Sequence, residues 1–418
     1  MMDGVSGPHL KTEIPGSASR AWIDRLALRE CPAITSRRAR RAAAMGVADD
    51  DPIVWDEALG ANVLDVDGNL FVDLTAGFGV ASVGHRNPAV VAAAQAQLSR
   101  LPHAMGDAFP DPQRVRLLEA LAERTGLDHG ILGSSGSDAV EAALKTARLA
   151  SGRDGVLAFE GGYHGLSYGA LATSHYKHHD FRAPFVGQLG EHVRWAPFGG
   201  EIPALDGVGA VLVEPIQGRG GERSPPAGWL QRLRAACDQA GAALIFDEIY
   251  TGFGRTGVMF AHQREGVRPD LLCVGKSLAG GFPISACMGS RAVMESWGAS
   301  KGEALHTQTF LGNPVGAAMA LAALKFIDDA GLVERSAQLG AWFKARLSHL
   351  GPVRGEGLML GLEAPNPLAL SRALLHRGYI LLPAGLHGEV LAFTPPLVIT
   401  ESQLDGVLRQ LQDLLGRS

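Results

Sequence analysis

From residue 131 onward the chain alternates between short apolar runs and amphipathic stretches. Ile131–Leu132, Val156–Phe159, His192–Trp195, Ala210–Glu214, Ala243–Asp247, Leu271–Val274 and Ile284–Met288 read as strands. Helical patterns, such as Ser137–Ala150 and Trp229–Ala240, lie between several of them. Strands alternating with helices predict an α/β fold with a mostly parallel sheet covered on both faces. Upstream, Val54–Trp55, Val63–Val66 and Leu70–Leu74 read as short strands joined by turns at Gly60 and Asp67-Gly68-Asn69. A helix is predicted over Pro88–Ser99, with proline in the first turn, where its missing N–H costs nothing. After Pro314 the pattern changes to long helices, Val315–Asp328 and Ser336–Leu350, and then to an α+β tail. The expected division is an N-terminal arm with part of a small domain (1–70), a large domain (71–313), and a C-terminal segment (314–418) completing the small domain.

Composition narrows the function. The 418 residues are 46% hydrophobic and 19% charged, which suits packed cores and excludes wholesale disorder. A net charge of −5 argues against a nucleic-acid or membrane-surface partner. The apolar stretch Val315–Leu324 ends at Lys325, about half of the roughly 20 residues a bilayer span needs. Cys31, Cys237, Cys273 and Cys287 form no C-x-x-C, so neither a disulfide framework nor a metal site is expected. The N-terminus lacks a basic region followed by an apolar core, so a cytoplasmic location is expected. The basic run Arg37, Arg38, Arg40 and Arg41 reads as a solvated helix face.

In such a sheet, ligands bind beyond the carboxyl ends of the strands, and four features stand there. Lys276 ends the run Leu271–Gly275 and precedes a glycine pair; a desolvated amine there can form an imine, although a lysine snorkelling from the sheet edge fits the same pattern. Asp247 ends the preceding strand, as a counter-charge for a cation or ring N–H, or as a helix cap. Gly133-Ser134-Ser135-Gly136-Ser137-Asp138 opens a helix, as a phosphate seat or an ordinary serine cap. In Gly161-Gly162-Tyr163-His164-Gly165, Tyr163 can lie on a planar ligand, and His164 reads as a hydrogen-bonded structural histidine. Together these are the parts that pyridoxal phosphate requires.

The blocks Ser135–Glu141, Tyr163-His164-Gly165, Glu214-Pro215-Ile216-Gln217-Gly218, Asp247–Gly257, Pro269-Asp270 leading to Lys276, and Thr309–Pro314 resemble the class III (ω-type) aminotransferases of fold type I, from about Trp55 to the C-terminus. The resemblance implies a seven-stranded large domain and a smaller α+β domain built from the N- and C-terminal segments. It implies pyridoxal 5′-phosphate held covalently by Lys276, which then shuttles a proton, with Asp247 on the pyridinium. It places Tyr163 and Ile249 on the two ring faces, Gly136 and Ser137 on the phosphate, Gln217 near the ring hydroxyl, and Thr309 reaching in from the second subunit of a homodimer. The implied reaction moves an amino group from an amine, ω-amino or amino-acid donor to a 2-oxo acid or aldehyde through pyridoxamine phosphate. An aminomutase or racemase of the same family is the alternative, and a cofactor-free scaffold is a third reading that an intact Lys276 and Asp247 oppose.

The departures concern substrate. Arg219 stands where glutamate-using members carry Glu, Val390–Leu397 contains no arginine to pair with it, and Leu166 follows His-Gly where an arginine often binds a distal carboxylate. Glutamate is therefore disfavoured as donor, and alanine with pyruvate is the pair left by elimination. Arg219 is a candidate carboxylate contact, and Phe78 and Trp22 are candidate apolar pocket residues.

Overall fold

The computed structural model describes residues 2–34, 43 and 53–416. The basic run at Arg37–Arg41 lies outside the described residues. A first sheet contains β1 (Trp55–Leu59), β2 (Asn62–Asp65) and β3 (Leu70–Asp73), paired antiparallel in sequence. β1 runs further than its apolar residues suggest, because it is an exposed edge whose Asp56 and Glu57 face solvent and carry no alternating signal.

The large sheet contains β4 (His129–Gly133), β5 (Gly155–Phe159), β6 (Val193–Ala196), β7 (Val208–Val213), β8 (Ala243–Asp247), β9 (Leu271–Val274) and β10 (Ser285–Gly289). Their order is β4-β10-β9-β8-β7-β5-β6. β10 is antiparallel to both β4 and β9, and the remaining neighbours are parallel. The other six strands therefore share one direction, and their carboxyl ends lie along one edge. Both faces are covered. Val211, Val213, Leu244, Phe246, Leu272 and Val274 pack into one apolar cluster, while their neighbours Ala210, Leu212, Ile245, Cys273 and Cys287 pack into another. That strict alternation of two buried faces makes each strand apolar throughout, as the sequence shows.

Helices fall where the periodicity places them. α1 (Pro88–Leu98) begins with proline behind the Asn87 cap. α2 (Pro112–Thr125), capped by Asp111, adds a helix that the periodicity does not predict. α3 (Gly136–Ser151) opens directly after β4 and ends at Gly152, whose φ of +67° suits a glycine stop. α4 (Trp229–Ala240) buries Trp229, Leu230 and Leu233. α5 (Pro314–Asp329), with Asn313 as its cap, buries an alanine-rich face and packs on α1 and α2; α6 (Leu332–Leu347) follows.

The tail resolves into β11 (Val353–Glu356), β12 (Met359–Glu363), β13 (Tyr379–Ile380), β14 (Leu382–Ala384) and β15 (Val390–Phe393). β11-β12-β15-β14 form an antiparallel sheet, whereas β13 joins β3 in parallel, tying the C-terminal segment to the N-terminal one. α7 (Glu401–Leu414) closes the chain behind a Thr400–Gln403 capping box. Among the described residues no helix is long and apolar enough to cross a membrane.

Candidate active site

The carboxyl edge of the large sheet gathers residues that sequence reasoning had placed on separate strands. β8 and β9 are adjacent, with Asp247 opposite Cys273, so Asp247 and Lys276 leave neighbouring strand ends. Lys276 has φ +33°, a left-handed conformation rarely adopted by a residue with a side chain, which marks this strand exit as constrained. Its Nζ stands 4.7 Å from the centre of the Tyr250 ring. Burial pulls the amine below its ordinary range; Arg219 acts in the same direction, and Asp247 and Glu214 oppose it.

Asp247 is 4% exposed and fully engaged away from solvent. Its Oδ2 lies 2.7 Å from His164 Nδ1, and its Oδ1 accepts the Ile249 N–H at 3.1 Å. A carboxylate only accepts, so Nδ1 carries the hydrogen. His164, read from the sequence as structural, is thus the group that orients Asp247.

Glu214, at the end of β7, accepts the backbone N–H groups of Tyr163 (2.9 Å) and Gly218 (3.3 Å). Burial, with Asp247 adding to it, pushes its carboxyl up to about 7; His164 pulls the other way. The folded state therefore holds more protons than the unfolded chain between the ordinary Glu range and about pH 7, so this group's contribution to stability falls as pH rises through that window. Glu214→Gln in the cofactor-free protein is expected to flatten this slope, a difference on the order of 2–3 kcal/mol across the window. Urea unfolding midpoints of the two proteins across pH check it; parallel curves would count against a proton held at Glu214.

The serine-rich segment is built as a cap. Ser135 Oγ accepts the Asp138 N–H, and Asp138 Oδ2 accepts the N–H groups of Ser134 and Ser135. This box leaves Gly136 and Ser137 as the first residues of α3, with Ser137 Oγ accepting the Leu166 N–H at 3.3 Å. Gly165, at φ +125°, could carry no side chain here, because a Cβ would run into Ser137 Oγ. A Cβ on Gly136 would come within 2.9 Å of Ile249 Cδ1, which places Ile249 beside the start of α3. Ser134 Oγ donates to Gln308 Oε1 at 2.8 Å, a contact the sequence did not suggest.

Tyr163 meets Tyr176 and Phe181 edge to face, each at 6.3 Å, and the Arg219 guanidinium lies 4.5 Å from its ring centre. Tyr250, whose role no sequence motif revealed, is half-buried; its hydroxyl lies 3.0 Å from Thr394 Oγ1, and desolvation pushes it up to about 12. Gly79 permits this: a Cβ there would collide with the Tyr250 ring.

Two predicted residues are exposed to solvent in the single chain. Phe78 is 54% exposed, and Thr309 is exposed on the segment that carries Phe310. Phe78 lies on the Ala76–Gly79 segment, which packs against Lys276–Ala279, and Thr309 directly follows Gln308, whose side chain meets Ser134. Trp22 is half exposed beneath Arg25.

The residues fit pyridoxal phosphate on one independent observation. Gln217 is buried, its Nε2 donates to the Glu160 carbonyl at 2.9 Å, and its Oε1 has no partner. A buried acceptor left empty is costly, and a ring hydroxyl would supply the missing donor. Gly161 and Gly220 leave the space around that oxygen.

The model of the family described as Aminotransferase class-III matches residues 44–199 and 200–415. The chain is 37% identical over 371 residues to the acetylornithine aminotransferase of Methanosarcina mazei, covering 86% of this chain and 91% of that protein. It superposes on the ornithine aminotransferase of Toxoplasma gondii ME49 with a TM-score of 0.81 at 30% identity, covering 96% and 98% of the two chains. An amine transaminase from an uncultivated Pseudomonas species, in its PLP-bound form, matches with a TM-score of 0.81 at 28% identity over 88% and 95%.

Proposed function

The chain belongs to the class III aminotransferases, enzymes that use pyridoxal 5′-phosphate to move an amino group from a donor to a carbonyl acceptor, and within that activity we propose that its donor carries a carboxylate gripped by Arg219. The observation that carries this reading is the placement of Arg219: a half-buried guanidinium over Tyr163, close enough to Lys276 to act on its charge, with no carboxylate in ion-pair distance among the described residues. An unpaired cation facing an aromatic wall suits an incoming carboxylate. The donor is then an amino acid other than glutamate, with alanine and pyruvate the pair favoured by the missing second arginine.

The bound cofactor supplies an aldehyde and an electron-accepting ring. Lys276 would hold the cofactor covalently and would move a proton to and from the substrate carbon; its lowered basicity leaves a larger share as free amine. Asp247, locked by His164, would pair with the ring nitrogen and favour positive charge there. Tyr163 and Ile249 would flank the ring, the start of α3 at Gly136 and Ser137 would hold the phosphate, Gln217 Oε1 would accept from the ring hydroxyl, and Phe78 would supply apolar wall at the entrance.

Thr309 completes the phosphate site from a second subunit. Exposed Leu98, Leu101, Met105, Phe109, Leu305 and Phe310 support this homodimer. Asn313 donating to the Pro102 carbonyl (3.1 Å) and Thr307 to Asp107 (3.0 Å) tie the segments around residues 98–109 and 305–313 that carry them, and neighbouring exposed apolar side chains of this kind suit an interface. The units proposed are an N-terminal arm with part of a small domain (1–70), a large domain (71–313), and a C-terminal segment (314–418) that completes the small domain. The unpaired thiols suit a cytoplasmic setting.

A donor panel tests the reading by the spectral conversion of the holoenzyme to its pyridoxamine form. Arg219→Ala is expected to raise KM for carboxylated donors roughly ten- to a hundredfold, leaving simple amines unaffected. Equal effects on both donor classes would remove Arg219 from the substrate site.

A further inference from the structure

Glu222 is the most anomalous side chain near the site. It is 1% exposed, both carboxyl oxygens lack a hydrogen-bond partner, and its φ of +48° is left-handed although it is not glycine. Residues held in that conformation persist only where their surroundings over-determine them, and they cluster at functional sites. Unsatisfied buried polar atoms call for an explanation of the same kind.

The surroundings supply one. Residues 217–223 form a closed loop: Gln217 and Arg223 exchange two backbone hydrogen bonds (2.9 and 3.0 Å), and the Gly218 carbonyl accepts from Gly221 and Glu222. This loop carries Gln217 and Arg219. It touches the C-terminal sheet twice. The Arg219 carbonyl accepts the Gly385 N–H at 3.1 Å, and the Glu222 side chain lies against two glycines of β11 and β12. A Cβ on Gly361 would stand 2.9 Å from Glu222 Oε2, and one on Gly355 would stand 3.2 Å from Glu222 Cβ. The sheet thus opens a notch, and Glu222 fills it.

We propose that Glu222 is a positioning residue, whose seating in the Gly355/Gly361 notch of the C-terminal sheet holds the 217–223 loop so that Gln217 and Arg219 face the site. The inference rests on the substrate role given to Arg219 above. The groups facing Glu222 define the state in which it fits. From the C-terminal sheet come Arg354 and Glu389; Arg354 is already engaged by Glu363 (2.7 Å) and Glu389 (3.4 Å). From the large sheet come Glu214 and Tyr250. Burial, reinforced by Glu389 and Glu214, pushes the Glu222 carboxyl well above the ordinary range against the pull of Arg354. Burial therefore favours the neutral acid over the carboxylate in this seat. Loss of its proton to solvent puts a charge in the notch with no donor and two carboxyls nearby, and the loop loosens.

The test uses the holoenzyme and three variants. KM for a carboxylated donor is expected to rise severalfold in the wild type as increasing pH ionises Glu222. Glu222→Gln, neutral at every pH, should keep the neutral-pH KM and lose that rise. Glu222→Lys should raise KM throughout while leaving kcat with a simple amine donor less affected. Infrared difference spectra between neutral and alkaline pH should show loss of a protonated carboxyl band that is missing in Glu222→Gln, a readout independent of turnover and of the variant's activity. Superposable pH profiles for wild type and Glu222→Gln, or no such band, would overturn the proposal. Failure of the Arg219 reading is seen separately, as an Arg219→Ala enzyme that treats carboxylated and simple donors alike.

Discussion

Lys276→Ala is expected to lose turnover by at least about 10²–10⁴-fold, the range supplied by a positioned proton-transfer group, and to lose the covalently held cofactor as well. The absorbance that borohydride abolishes in the wild type should be absent, while free pyridoxal phosphate can still rest on the remaining contacts. Loss of folding is separable from loss of chemistry through the sign of the lysine's titration. Burial lowers its basicity, so the folded state binds fewer protons than the unfolded chain below the ordinary lysine range. The cofactor-free wild type then carries a penalty at neutral pH that fades as pH rises toward that range. Lys276→Met should be no less stable than the wild type at neutral pH, with the difference narrowing in alkali. Turnover retained by the alanine variant would end the assignment.

Asp247→Asn is the second large effect. The substitution keeps the shape and the Ile249 N–H contact but removes the charge aimed at the ring nitrogen and weakens the acceptor for His164 Nδ1. A fall in kcat of about 10²–10³ is expected, the scale of losing one preorganised electrostatic contact in a desolvated site. Asp247 also raises the basicity of Lys276. In the cofactor-free variant the pH at which Lys276 becomes reactive toward an amine-labelling reagent should therefore move down. An unchanged labelling profile would mean that the two side chains do not sense each other.

Much of this was legible in the residue order. The seven strand runs, the helix openings at Pro88 and Pro314, and the placing of Asp247 and Lys276 at strand ends all follow from local periodicity and local capping chemistry, which act within a few residues. His164 was read correctly as hydrogen-bonded, but its partner, 83 residues away, was not visible. Tyr250 carried no signal, because a tyrosine after a strand end looks the same whether it is solvated or lies beneath an amine. Asp111 and Pro112 announce the start of α2, but only Leu117 and Leu121 are buried along it, too thin an apolar stripe for periodicity to mark the helix.

The one-dimensional pattern, then, settled which segments are strands and helices, and which side chains stand at their ends, because secondary structure repeats with a short period. Only folding decided what those ends face. β10 inserts antiparallel between β4 and β9, and β13 leaves its neighbours in the chain to pair with β3. The notch that takes Glu222 joins residues more than a hundred positions apart. Such contacts depend on burial and on charges summed over several elements, and no window of neighbouring residues contains that information.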